Sequence, residues 1–344
     1  MNIKDLVRPN IQKLKAYSSA RSLYTSGILM DANENPYTIF KNEVAVNRYP
    51  DGSNIALRKK LGEKFNLPAE CSTVGNGSDE IIDIVFRIFC EPGKDEIIIT
   101  SPTYGMYEVS ANINNIKIVD VPLIENHLNT DGILKAITST TKIIFICSPN
   151  NPTGDVVNRK DSIRIIENSN CIVVIDEAYA DFMTEPSFVP EIKKYNNLVV
   201  VRTLSKAFAM AGLRLGYAFA DKEIIDLVQK VKPPYNVNVL TTNAVLNALE
   251  NTAEADKHVN IIIEERDNLI KELKSIKKVE EVFSTQSNFI LFKMKDADVV
   301  FKKLVEKGII IRSRTSQIPN ALRVSVGTKE QNAKFIKYLK EIVG

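Results

Sequence analysis

Short apolar, β-branched runs recur along the middle of the chain. The runs at 96–99, 116–119, 142–147, 171–175, 198–201 and 215–220 are apolar almost throughout. A strand with one wet face alternates polar and apolar residues, so these runs predict strands covered on both faces of a largely parallel sheet. Stretches of helical period fill the gaps. Residues 79–90, with Ser78 as N-cap, and Arg159–Asn168 are predicted helices. Strand–helix alternation of this kind predicts α/β layering with right-handed crossovers.

From about Asn238 the pattern changes. Residues 239–274 read as a long helix broken near Asn251-Thr252. Short strands follow at 279–283, 289–293, 309–312 and 322–326, with helices at 297–307 and 329–342. The expected organisation is an arm over 1–30 that joins a small domain, a large domain over 31–240, and that smaller α+β domain over 241–344.

Composition narrows the chemistry. The 344 residues carry 45 Lys+Arg against 42 Asp+Glu, a net charge of +3. That balance gives no footprint for nucleic acid or an anionic membrane. Only two histidines, His127 and His258, are present, which argues against a histidine metal site or a Ser/His or Cys/His nucleophile pair. No metal is expected. Cys71, Cys90, Cys147 and Cys171 have no CxxC spacing and sit among apolar neighbours, as expected of buried, reduced thiols. The first ten residues carry Lys4, Asp5 and Arg8 without an apolar core, and no run approaches the ~18 apolar residues of a membrane span. A soluble, cytoplasmic protein is expected.

Candidate chemistry gathers where predicted strands end. Thr203-Leu204-Ser205-Lys206 places a lysine just past an apolar strand. Desolvation there lowers an amine's pKa, as an imine-forming nucleophile requires. Asp176 ends the run 172–175, and ligands of open α/β sheets bind beyond the carboxyl ends of strands. An anion at that point can hold a pyridine nitrogen protonated. Ser148-Pro149-Asn150-Asn151-Pro152-Thr153-Gly154 marks a tight turn whose X-Pro bonds are candidates for the cis form. Gly75-Asn76-Gly77-Ser78-Asp79 is a glycine-rich turn feeding a helix N-terminus, where free N–H groups can hold a phosphate.

Asn150-Asn151-Pro152-Thr153-Gly154, Asp176-Glu177-Ala178-Tyr179 and Ser205-Lys206 with Arg214, in that order, resemble the fold type I pyridoxal-phosphate aminotransferases. Within that superfamily the chain is similar to the histidinol-phosphate aminotransferase family. The similarity lies in Ala16-Tyr17-Ser18-Ser19-Ala20-Arg21, Asp31-Ala32-Asn33-Glu34-Asn35-Pro36, Arg48-Tyr49-Pro50-Asp51 and Ser101-Pro102-Thr103-Tyr104-Gly105-Met106-Tyr107. The resemblance covers almost the whole chain. It implies an α/β fold with a large, mostly parallel sheet flanked by helices and a smaller α+β domain.

The resemblance also implies roles. Lys206 would hold the pyridoxal 5'-phosphate covalently and move the substrate proton. Asp176 would pair with the ring nitrogen, Asn151 and Tyr179 with the ring oxygen, and Tyr104 would stack on the ring. Ser78, Asp79, Ser205 and Arg214 would hold the phosphate, with Tyr49 reaching in from the partner of a homodimer. Arg323, Arg312 and Tyr17 would bind the substrate's phosphate group, with Asn33 also at the substrate. The implied reaction converts histidinol phosphate and 2-oxoglutarate to imidazole acetol phosphate and glutamate. An aromatic amino acid aminotransferase and a threonine-phosphate decarboxylase share the same cofactor motifs. A non-catalytic cofactor-binding regulator is the alternative from another class.

Overall fold

A computed structural model describes residues 2–17, 27–39 and 44–344. Among them, β1 (Ser72–Asn76), β2 (Glu96–Ile99), β3 (Lys117–Asp120), β4 (Thr141–Cys147), β5 (Ile172–Asp176), β6 (Leu198–Thr203) and β7 (Leu215–Ala220) form one sheet. Its order is β1-β7-β6-β5-β4-β2-β3, parallel from β6 to β3, with β7 antiparallel to both its neighbours. A second sheet, all antiparallel, runs β10-β11-β9-β8, from β8 (Val279–Val282), β9 (Phe289–Met294), β10 (Arg312–Ser313) and β11 (Ala321–Ser325). The helices are α1 (Pro9–Lys13), α2 (Ile55–Glu63), α3 (Gly77–Phe89), α4 (Met106–Ile113), α5 (Thr130–Ala136), α6 (Arg159–Asn168), α7 (Lys222–Val231), α8 (Val239–Leu249), α9 (Thr252–Lys274), α10 (Ala297–Glu306) and α11 (Lys329–Val343).

The uninterrupted apolar runs have the physical cause expected of them. Successive residues of a strand face opposite ways, and here both faces are covered. Ile144, Ile146, Val173 and Ile175 enter one core with Leu57 of α2 and Ile165 of α6. Ile143, Phe145, Ile172 and Val174 enter the other with Phe86 of α3, Tyr107 of α4 and Ile224 of α7. Each such side chain contributes about 1.5–3 kcal/mol on burial. In the small sheet, Ile290, Phe292, Leu322 and Val324 pack under α9, α10 and α11.

Three expectations shift. Ser78 is not the cap of α3: that place belongs to Asn76, and Ser78 lies inside the first turn. The glycine at 77, with φ +77°, turns the chain so that the helix starts two residues earlier than the apolar pattern reveals. The start of the arm does not join the small domain. Ile3, Val7 and Ile11 bury against α3 and α7, and Lys230 Nζ donates to the carbonyl of Ile11 at 2.7 Å. Residues 18–26 of the arm, including Ser18 to Arg21, lie outside the described residues. Finally, α8 serves the large sheet: Val245 and Leu249 bury in the same core as Leu57 and Leu61. Val259 of α9 buries with Tyr179 and Phe182, and Leu269 and Leu273 farther along the same helix bury with the small sheet. Cys71 is only partly buried, whereas Cys90, Cys147 and Cys171 are fully buried, and all four are free thiols.

Candidate active site

The carboxyl ends of β1, β4, β5 and β6 converge on one rim of the large sheet. Cys147 and Asp176 are register partners at the ends of β4 and β5, and β6 stops at Thr203, just before Ser205-Lys206. The start of β7 returns to the same rim, so Arg214 stands beside the N-terminus of α3: the Gly77 N–H donates to the Arg214 carbonyl at 2.7 Å. Ser78, Asp79, Tyr104, Asn151, Asp176, Tyr179, Ser205, Lys206 and Arg214 line one cavity. Nine of the ten residues expected to hold a cofactor thus meet in one place. The tenth, Tyr49, does not.

Asp176 is the buried anion of the site. Its carboxylate accepts from the Tyr107 hydroxyl at 2.7 Å and from the Ala178 N–H at 3.0 Å. Burial pushes its pKa up to about 6, and those two hydrogen bonds oppose the rise. Tyr107 is fully buried, stacked on Phe145 with ring centroids 4.6 Å apart. No sequence pattern marks it apart from its neighbours Met106 and Val109, so its contact with Asp176 at the end of β5 becomes visible only in the folded chain.

Lys206 is half-buried, its ammonium 5.5 Å from the Tyr179 ring centroid. Burial and the positive charge of Arg323 pull its pKa below the ordinary lysine value, against the raising pull of Asp176 and Asp79. The neutral amine is the nucleophilic form, so the environment favours imine chemistry. Across the cavity, Asn151 donates to the Tyr179 hydroxyl at 3.3 Å and accepts from Arg323 Nη1. The Ser148-Pro149 and Asn151-Pro152 bonds of that turn are cis.

The part of the cavity beside the start of α3 is built from backbone and small residues. Gly216 packs so tightly that an added Cβ would lie 2.2 Å from the Ser78 amide nitrogen. On Gly77 it would lie 2.6 Å from Arg214 Nη2. Asp79 accepts from the Tyr104 hydroxyl at 3.0 Å and lies 3.6 Å from Arg214 Nη2. An α-helix N-terminus, the Ser78 and Ser205 hydroxyls and a guanidinium form a donor set suited to a phosphate. With Asp176 and Lys206 lining the same cavity, the residues present fit a phosphorylated pyridine aldehyde.

The other expected residues divide. Arg323 reaches the cavity rim, with its guanidinium 5.0 Å from the Phe289 ring centroid, and Arg312 is its direct partner across β10 and β11. Asn33 and Tyr49 line a different cleft, with Tyr235, on which the Tyr49 ring stacks at 4.6 Å. Tyr17, 73% exposed, lines a separate groove with Gly52, Lys230 and Lys232. Within one chain, none of these three joins the cavity of Lys206.

The class I and II aminotransferase family profile matches residues 26–339. A histidinol-phosphate aminotransferase of Cytophaga hutchinsonii is 46% identical over 344 residues, covering 98% of this chain and 99% of that protein. The crystal structure of the Clostridium acetobutylicum histidinol-phosphate aminotransferase superposes with a TM-score of 0.80 at 29% identity, covering 86% of this chain and 91% of that one. The Sinorhizobium meliloti histidinol-phosphate aminotransferase, solved in complex with pyridoxal 5'-phosphate, shares the fold with a TM-score of 0.80 at 19% identity, covering 87% and 83%.

Proposed function

We propose for this chain, which belongs to the class I and II aminotransferases, a pyridoxal 5'-phosphate-dependent transfer of an amino group from glutamate to imidazole acetol phosphate, and the reverse. Histidinol phosphate and 2-oxoglutarate are the other members of the two substrate pairs, a step of histidine biosynthesis. The observation that carries this reading is the cavity, where Lys206, Asp176 and the Gly77–Arg214 turn meet, on a chain similar to histidinol-phosphate aminotransferases over nearly its full length.

When bound, the cofactor supplies an electron sink for the carbanion at the substrate α-carbon. The chain's residues do the rest. Lys206 holds the cofactor and carries the proton on and off that carbon. Asp176 would face the ring nitrogen as an anion and hold it protonated. Asn151 and Tyr179 would hold the ring oxygen, Tyr104 would cover the ring, and Ser78, Ser205, Arg214 and the backbone N–H of Asp79 would hold the phosphate. Arg323 and Arg312 bind the substrate's anionic end, since two guanidinium forks suit a phosphate better than one.

The enzyme acts as a homodimer. Tyr49, Asn33 and Tyr17 stand outside the cavity of their own chain, so in this reading they act at the partner subunit's site. No helix of the described residues is long and apolar enough to cross a membrane, and we place the enzyme in the cytoplasm with its biosynthetic substrates.

The test is a panel of half-reactions followed by cofactor absorbance. Histidinol phosphate, unphosphorylated histidinol, phenylalanine and threonine phosphate are each added to the holoenzyme. Fastest amino transfer from histidinol phosphate is expected. A preference for phenylalanine, or no preference for the phosphorylated alcohol, would overturn the substrate assignment.

A further inference from the structure

Arg314 stands two residues beyond Arg312, and the sheet register fixes where it lies. Arg312 pairs with Arg323 across β10 and β11. The Arg314 N–H donates to the Ala321 carbonyl at 2.9 Å, which continues that ladder by one more pair. Residues opposite one another share a face of a sheet, and so do residues two apart. Arg312, Arg314 and Arg323 therefore stand on one face, while Leu322 and Val324 point the other way, under the helices. The arginine face is the one turned to the cavity, where Arg323 meets Asn151 and Phe289.

Within this cluster Arg314 is poorly served. Its Nε is buried with no hydrogen-bond partner among the described residues. Among the described residues its side chain makes one bond, Nη1 to the Gln317 oxygen, and that bond is long at 3.5 Å. The turn after β10 closes through backbone instead: the Gln317 and Ile318 N–H groups both donate to the Arg314 carbonyl at 2.9 Å. Burial and the charges of Arg323 and Arg312 push the guanidinium pKa down to about 10, with Tyr179 the group that favours its charged form. An unpartnered donor beside two like charges is costly in the free enzyme, and an anion removes both costs at once.

We propose that Arg314 is a third guanidinium ligand for a phosphate group in the substrate pocket and sets its preference for phosphate over carboxylate. The proposal rests on the function proposed above. A carboxylate offers two oxygens and one charge, which a single guanidinium fork matches. A phosphate monoester offers three outer oxygens and close to two charges. A second and a third arginine are therefore better matched by the phosphate substrate than by glutamate.

The experiment compares holoenzyme carrying Arg314, Arg314→Gln and Arg314→Lys. For each, kcat/KM is measured on histidinol phosphate, on unphosphorylated histidinol and on glutamate, together with the inhibition constant of inorganic phosphate and the Tm. For Arg314→Gln we expect a loss of roughly 10–100-fold on histidinol phosphate and a much smaller one on glutamate. Inhibition by phosphate should weaken about tenfold, and Arg314→Lys should recover part of both. An equal loss on all substrates, with or without a lowered Tm, would mean a structural role and overturn the proposal. So would an unchanged variant whose wild type prefers the phosphorylated substrate, and in that case the function itself stands. A wild type with no such preference would overturn both.

Discussion

The hydroxyl of Tyr107 lies 2.7 Å from Oδ2 of Asp176, and both residues are buried. The pair couples stability to cofactor binding. Burial raises the Asp176 pKa from 3.8 to about 6 in the folded protein. Between those values the native state holds a proton that the unfolded chain has released, so stability falls as pH rises through about 4 to 6 and then levels off. The cost above pH 6 is roughly 3 kcal/mol.

Asp176→Asn should accordingly be more stable than wild type in the cofactor-free form at pH 7.5, with the gap shrinking toward pH 4. The same variant should bind pyridoxal 5'-phosphate more weakly, because the carboxylate proposed to face the ring nitrogen is lost. Urea denaturation of both apoproteins at the two pH values reads the first effect, and cofactor titration reads the second. A wild type more stable than Asp176→Asn at pH 7.5 would contradict the account.

Tyr107→Phe keeps the ring stacked on Phe145 and removes only the hydroxyl. A hydrogen bond to a charged group is worth about 1.5–3 kcal/mol. Loss of this one should push the Asp176 pKa higher still, moving the pH-dependent fall in apoprotein stability upward by a unit or more. An unchanged pH profile would mean that Tyr107 only fills space.

Lys206 should carry the cofactor covalently. Reduction of the holoenzyme with borohydride, followed by peptide mapping, is expected to place the label on Lys206, whose amine is held below the ordinary lysine range by burial and Arg323. Label on any other lysine sinks the assignment.

The site was largely legible because strand ends are legible. Once an apolar run stops, the residues just beyond it lie on the rim of the sheet, which is how Asp176, Asn151 and Lys206 could be read together. β1 was not legible in the same way: Ser72-Thr73-Val74-Gly75-Asn76 has no apolar run, and it is a strand because it pairs with β7. Helix α7 carries Ile224, Ile225 and Val228 on one buried stripe, a helical pattern that a strand-first reading passes over. Tyr107 and Arg314 lay beyond reach for another reason. Their significance comes from which element crosses which, and no spacing along the chain encodes that.

Gly216 should tolerate no side chain. An added Cβ meets the Ser78 backbone at 2.2 Å, and a backbone cannot rotate away as a long side chain can. Overpacking of this kind costs about 1–3 kcal/mol. Gly216→Ala is expected to lower the Tm and to weaken cofactor binding at least tenfold, because the strain falls on the amides of the phosphate turn. Gly212→Ala, where the new methyl meets nothing within 4 Å, serves as the neutral control. Equal behaviour of the two variants would argue against a tight cradle.

Tyr49 decides whether the active site is shared. Its ring is 52% exposed and stacked on Tyr235, away from the cavity of Lys206 in its own chain. A phenol that holds a phosphate from that position must do so across a two-fold interface, where each chain lends the same residue to the other. Tyr49→Phe preserves the stacking and removes the donor, and Lys206→Ala removes the carrier of the cofactor. Each homodimer should be poorly active. Mixed in equal amounts and re-equilibrated, about half of the dimers become hybrids in which one of two sites keeps both residues, so activity should recover to about a quarter of wild type. The hybrid is verified by mass spectrometry of differently tagged chains. Hybrids that form and stay inactive would place Tyr49 outside the partner subunit's site, and the shared-site reading of the homodimer would fall with it.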